Sequence, residues 1–96
     1  LCDALQAQMP GVVPFGVANG HVVEGIAVSD TSVRRAMALA FRHLKIVLEP
    51  SGAVALAALL DGRLPQLKGK SVAVLASGGN VALDDFARLA ASTSLN

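Results

Sequence analysis

The run Ser71 to Ala76 (SVAVLA) shows no alternation of apolar and polar side chains. A strand with one wet face alternates; a short, nearly continuous apolar run fits a central parallel strand covered on both faces. The run stops at Ser77-Gly78-Gly79-Asn80, and an amphipathic stretch follows at once. Leu83, Phe86, Ala87 and Ala90 recur in it at helical spacing. Asp84 and Asp85 fall in its first turn, where they complement the helix dipole, and Arg88 stands four residues beyond Asp84. A strand, a tight turn and a helix in this order argue for a layered α/β fold, in which ligands collect beyond the carboxyl ends of the strands. SGGN marks one such end.

The rest of the chain agrees. Residues 1–8 read as the end of an element, and 9–20, punctuated by Pro10, Gly11, Pro14, Gly16 and Gly20, as a connecting loop. His21 to Val28 (HVVEGIAV) reads as a short strand or extended segment. Ser29-Asp30 is a helix-start signal, and Val33, Ala36, Met37, Ala40, Phe41, Leu44 and Leu48 form one apolar stripe behind it. Arg34, Arg35, Arg42 and His43 fall mainly on the opposite face. Glu49-Pro50 breaks this pattern, so the helix, or a short extended IVL piece after it, ends near Leu48. A second helix begins at Pro50 or Ser51. Its SGAVALAALL sequence is apolar on every side, as in a helix buried between layers, and Asp61-Gly62 ends it. Arg63 to Lys70 reads as a loop, and residues 92–96 as a frayed tail.

Hydrophobic residues make up 53% of the 96, yet there are three Phe and no Trp or Tyr. Ala, Val and Leu suit close packing of helices on a sheet. So little polar surface implies cover by protein beyond this segment. The net charge of +1, without a basic cluster, argues against a nucleic-acid partner. The longest apolar run, AVALAALL, is far short of the ~20 residues a membrane span needs. One cysteine, Cys2, excludes an internal disulfide and fits a reducing cytosol. LCDALQAQ reads as interior sequence, so the true N-terminus is expected upstream.

Two motifs carry the functional question, and each has two readings. Gly78 and Gly79 let a backbone turn sharply and admit a ligand with no Cβ in the way, and amides at the following helix start suit an anion. Equally, SGGN is a plain strand-to-helix turn capped by Asn80. Glu49, just before a buried helix, either caps it or faces a ligand, and the cap is the simpler account. Lys45 stands four residues before Glu49, which suits a local ion pair. His21 and His43 have no ligand spacing, and Lys68 and Lys70 suit a solvated loop. No metal cluster, phosphate loop or catalytic triad can be assembled from the sequence.

Taken together, LEPSGAVALAALLDGRL and GKSVAVLASGGNVALDDFARL, in this order and at this spacing, resemble the C-terminal part of the threonine/serine dehydratases. These are pyridoxal-phosphate enzymes of the tryptophan-synthase β fold type, a group that includes serine racemase. LCDALQAQ and AVSDTSVRRAMALAFRHLKIVLEP resemble the family's upstream stretches. The resemblance implies an open, twisted, mostly parallel sheet flanked by helices. Residues 1–96 would be a single C-terminal segment of that larger catalytic domain.

It also implies β-elimination from L-threonine or L-serine, giving a 2-oxo acid and ammonia. Pyridoxal 5'-phosphate would act as the electron sink. The implied partners are the rest of the same chain, an amino-acid substrate and further copies in a homo-oligomer.

Carried over by residue, Ser77 matches the serine whose hydroxyl bonds the pyridine nitrogen. Gly78 and Gly79 would let the chain pass close to the ring, and Asn80 would fix the turn. Glu49 matches an acid on the pyridine side, and Asp3 and Ala4 match a stretch beside the ring. Ala7 stands where some relatives have a serine that reaches the substrate carboxylate, so racemase-like contacts are in doubt. The Schiff-base lysine and the phosphate-binding glycines of the family have no counterpart here, so the segment should be inactive alone. A stand-alone α/β module binding an anion at SGGN, a racemase and a hydroxyaspartate dehydratase remain as alternatives.

Overall fold

The structure is a computed structural model, and it describes residues 1–5, 9, 11–21 and 25–91. Four α-helices lie among these residues: α1 (Val12–Ala18), α2 (Asp30–Leu39), α3 (Val54–Leu60) and α4 (Leu83–Ala91). The expectations for Ala7 and for the tail at 92–96 lie outside the described residues.

Helix α2 is the hub, packing against both α3 and α4. Its start follows from Ser29, which is extended and accepts a hydrogen bond at Oγ from the Ser32 backbone N–H at 3.1 Å. Val33, Ala36, Met37 and Ala40 point from it into a core shared with Leu48, Ala53, Ala57, Phe86 and Leu89. That core is wholly apolar among the described residues. Phe41 meets the edge of Phe86 at 5.5 Å between ring centroids. Arg34 and Arg35 are half-buried, Arg34 Nε donating to the Leu89 carbonyl at 3.4 Å; Arg42 and His43 are exposed.

The end of α2 is a widened turn, Ala40–Leu44, closed by Lys45 in the left-handed region (φ 59°). The N–H groups of Lys45 and Ile46 reach back to the carbonyls of Phe41 and Ala40 at 3.2 and 3.4 Å. Helical structure therefore stops four residues before Leu48, and Leu48 reaches the core from the following non-helical segment. Pro50 then opens a short 3-10 turn, Pro50–Ala53, that runs directly into α3. Gly62, at φ 67°, closes α3, and Arg63 Nη1 donates to the Ala27 carbonyl at 2.8 Å.

Two expectations are corrected. The stretch 9–20 is not all loop, because α1 occupies Val12–Ala18. Pro14 is its third residue, where the missing N–H is one of those a helix start leaves unpaired anyway. The apolar side chains of α1 are exposed, so no buried stripe marked it in the sequence.

The second correction concerns the strands. No residue among the described ones forms a strand ladder; both 25–29 and 71–82 are irregular. A central parallel strand needs neighbours on both edges to accept and donate its backbone bonds. Here Ser71 to Ala76 lacks them, and Leu75 is 77% exposed.

Candidate functional site

The two motifs meet. The Glu49 N–H donates to the Gly78 carbonyl at 3.0 Å, which joins the segment leaving α2 to the SGGN turn. Three glycines make this approach possible. A Cβ on Gly52 would lie 2.5 Å from the Gly78 oxygen and 2.9 Å from its nitrogen. One on Gly79 would lie 2.6 Å from the Val47 oxygen, and one on Gly78 would strike the Glu49 carboxylate. None of the three has positive φ. Gly52 and Gly79 are required by proximity to backbone, whereas at Gly78 the neighbour is the end of the Glu49 side chain, and the space a side chain would fill at each is taken by protein rather than left open to a ligand.

Glu49 is half-buried and makes no capping bond, although it stands at the cap position of the Pro50 turn. No ion pair joins it to Lys45 among the described residues. The simpler account of Glu49 is thus corrected: its carboxylate lies against Gly78 instead. Asn80 is not the cap of α4 either. The first bond of that helix runs from the Phe86 N–H to the Ala82 carbonyl at 2.9 Å, two residues further on. Between them the Val81 N–H bonds to the Gly79 carbonyl at 2.9 Å, closing a three-residue turn. The SGGN turn and the amides that begin α4 are therefore separate features.

Beside this junction lies a polar cleft of about 310 Å³, with Asp3, Glu49, Ser51, Asn80, Asp85 and Arg88 on its walls. Of the residues named from the sequence, it gathers Asp3, Glu49 and Asn80. Gly78 touches it through Glu49. Ser77 is exposed just before Gly78, and no other described residue engages its hydroxyl. The Ala4 backbone lies in a 3-10 turn with Asp3, Asp3–Leu5. Arg88 pairs with Asp85 at 3.5 Å rather than with Asp84, and both side chains are mostly exposed, so the pair contributes little stability.

Sequence reasoning missed Gly52 and Val47. The available signal was a glycine in the opening turn of a helix, where nothing but close contact favours it. Cys2 is a half-buried free thiol packed against the core, and His21, His43, Lys68 and Lys70 are exposed. No group of three metal-ligating side chains occurs among the described residues. None of their helices is long and apolar enough to cross a membrane.

A model of the pyridoxal-phosphate dependent enzymes matches residues 1–78, which include the whole Glu49 motif and the start of SGGN. The chain belongs to that family. It is 38% identical over 81 residues to an L-threonine ammonia-lyase of Geobacter sulfurreducens, covering 84% of this chain and 20% of the relative. It is 48% identical over 65 residues to a beta-hydroxyaspartate dehydratase of Paracoccus denitrificans, covering 67% of this chain and 20% of the relative. Against a phenylserine dehydratase of Ralstonia pickettii it is 38% identical over 88 residues, covering 92% of this chain and 27% of the relative. The chain thus spans only about a fifth to a quarter of the length of these relatives.

Proposed function

We propose that this chain is the C-terminal part of the catalytic domain of a pyridoxal-phosphate-dependent ammonia-lyase acting on L-threonine or L-serine. It would supply the pyridine-side wall of the cofactor site. One observation carries this reading: the two motifs behind the family resemblance, separated by nearly thirty residues, are locked together by the Glu49 N–H bond to the Gly78 carbonyl at 3.0 Å. Family membership favours the lyase over a stand-alone anion-binding module.

One donor present suits the cofactor's ring. Ser77 offers an exposed hydroxyl that no described residue engages, and a pyridine nitrogen needs one such partner. When bound, pyridoxal phosphate supplies the electron sink for loss of the α-proton. Ser77 would hold the ring nitrogen with a neutral hydrogen bond, whereas a carboxylate there would keep that nitrogen protonated. With a neutral partner the ring would be a weaker sink, chemistry that would favour loss of the β-hydroxyl over transamination. Glu49 stands behind Gly78 and keeps the turn in place. Gly79 and Asn80 would lead the chain away from the ring, with the Asp3–Leu5 turn at its flank.

The parent enzyme would be cytoplasmic and homo-oligomeric. It would hold an open α/β sheet in which Ser71 to Ala76 is a covered strand, and the lysine that anchors the cofactor would lie outside residues 1–96. A second reading of the substrate, a β-hydroxyaspartate, draws support from the 48% identity to a dehydratase of that name.

The test uses the full-length protein loaded with pyridoxal phosphate. Release of ammonia and 2-oxo acid is measured from L-threonine, L-serine and 3-hydroxyaspartate, and the cofactor is then fixed with borohydride and mapped by peptide mass spectrometry. The expected adduct lies outside this segment. An adduct on Lys45, Lys68 or Lys70, or no elimination from any of the three substrates, would contradict the proposal.

A further inference from the structure

We infer that Gly52 is a positioning residue that sets where the Ser77 hydroxyl stands relative to the cofactor ring. The inference rests on the reading that Ser77 bonds the pyridine nitrogen. Gly52 is buried, and its missing Cβ would lie 2.9 Å from the Gly78 nitrogen and 2.5 Å from the Gly78 oxygen. The Gly78 nitrogen belongs to the rigid peptide plane that begins at the Ser77 Cα. Whatever displaces that nitrogen therefore displaces the Ser77 backbone with it.

Neither side of the contact can give way easily. Pro50 fixes the start of the turn, and the Gly52 N–H is tied to the Glu49 carbonyl at 3.0 Å. The next residue, Ala53, is fully buried, and so is Ala57 one turn later. On the other side, the Gly78 carbonyl is held by the Glu49 N–H at 3.0 Å.

A methyl at Gly52 needs ordinary contact at 3.4 Å where 2.9 Å is available to the Gly78 nitrogen, so that nitrogen and the Ser77 peptide plane must shift by about 0.5 Å. A side-chain hydrogen bond of about 2.8 Å stretched by that distance is left at the weak limit of the range. Gly52 thus acts on the cofactor through Gly78 and Ser77, without touching it.

The test uses the full-length holoenzyme reconstituted with cofactor labelled with 15N at the ring nitrogen. Ser77→Ala, which removes the hydroxyl, should move the nitrogen resonance downfield. Gly52→Ala should move it in the same direction by a smaller amount, with cofactor stoichiometry unchanged. It should also lower kcat by about tenfold with little change in KM, less than the hundredfold that a 1 Å misplacement can cost. Pro50→Ala loosens the same turn without adding an atom and should give a smaller shift of the same sign, which keeps the test open if Gly52→Ala fails to fold. A resonance moved by Ser77→Ala but by neither turn variant overturns the role of Gly52 alone. A resonance that Ser77→Ala leaves in place overturns the underlying reading of Ser77.

Discussion

Replacing Gly79 by alanine tests the physical basis of the junction separately from any chemistry. The added Cβ would lie 2.6 Å from the Val47 carbonyl oxygen, a backbone atom, and must gain about 0.8 Å to reach ordinary contact at 3.4 Å. Val47 cannot retreat cheaply: Leu48 beside it is buried in the core, and Lys45 two residues before it holds a left-handed conformation. Gly79 is tied as well, because its carbonyl accepts the Val81 N–H at 2.9 Å.

Since Gly79 has no positive φ, an alanine there brings no backbone strain of its own, and the whole cost is overpacking. That cost is about 1–3 kcal/mol. It corresponds to a roughly 5- to 150-fold loss in the folded-to-unfolded ratio. Urea and thermal unfolding of the full-length protein measure it, with Gly25→Ala as the control. A Cβ on Gly25 meets nothing within 4 Å, so that variant should match the parent or gain about 0.4–1 kcal/mol. Equal stabilities for Gly79→Ala and Gly25→Ala would refute the reasoning, since they would mean that the two segments do not approach closely in solution.

The remaining predictions concern the core and the cap. Met37 is fully buried at the centre of the α2 packing, and Met37→Ala should cost about 2–5 kcal/mol by denaturant titration. Ser29→Ala removes the acceptor for the Ser32 N–H and should cost about 1 kcal/mol in the same measurement, with the helix otherwise intact by circular dichroism.

What was legible in the sequence was local. The start of α2 showed in Ser29-Asp30, and its buried face in the spacing of Val33, Ala36, Met37 and Ala40. Pro50 and Gly62 marked their boundaries because each restricts its own backbone. Helix α4 was readable as a helix, yet its buried side was misjudged. Phe86 and Leu89 enter the core, while Leu83 is 78% exposed and lines, with Phe41, Val47 and Ala87, an open apolar groove of about 620 Å³. Spacing shows that a face is apolar; it does not show what covers it.

The strand expected at 71–76 depended on neighbours that a pattern of side chains cannot supply. The junction of Gly52, Gly78 and Gly79 was hidden for a related reason. It joins segments nearly thirty residues apart, and proximity at that separation leaves no periodic trace. Glu49 and the SGGN run stood out as candidates from their own chemistry, but nothing in their spacing marked Asp3, Glu49 and Asn80 as companions on one cleft.

Ser77→Asp in the full-length holoenzyme is the most direct test of the central claim. A carboxylate opposite the ring nitrogen should keep it protonated and strengthen the electron sink. Elimination should then slow, and the cofactor should drain into its amine form by transamination. Both are read in one experiment, from 2-oxo acid release and from the cofactor spectrum. Slower elimination with accumulating amine cofactor is the predicted result. An unchanged elimination rate with no amine cofactor would remove Ser77 from the ring nitrogen and contradict the account.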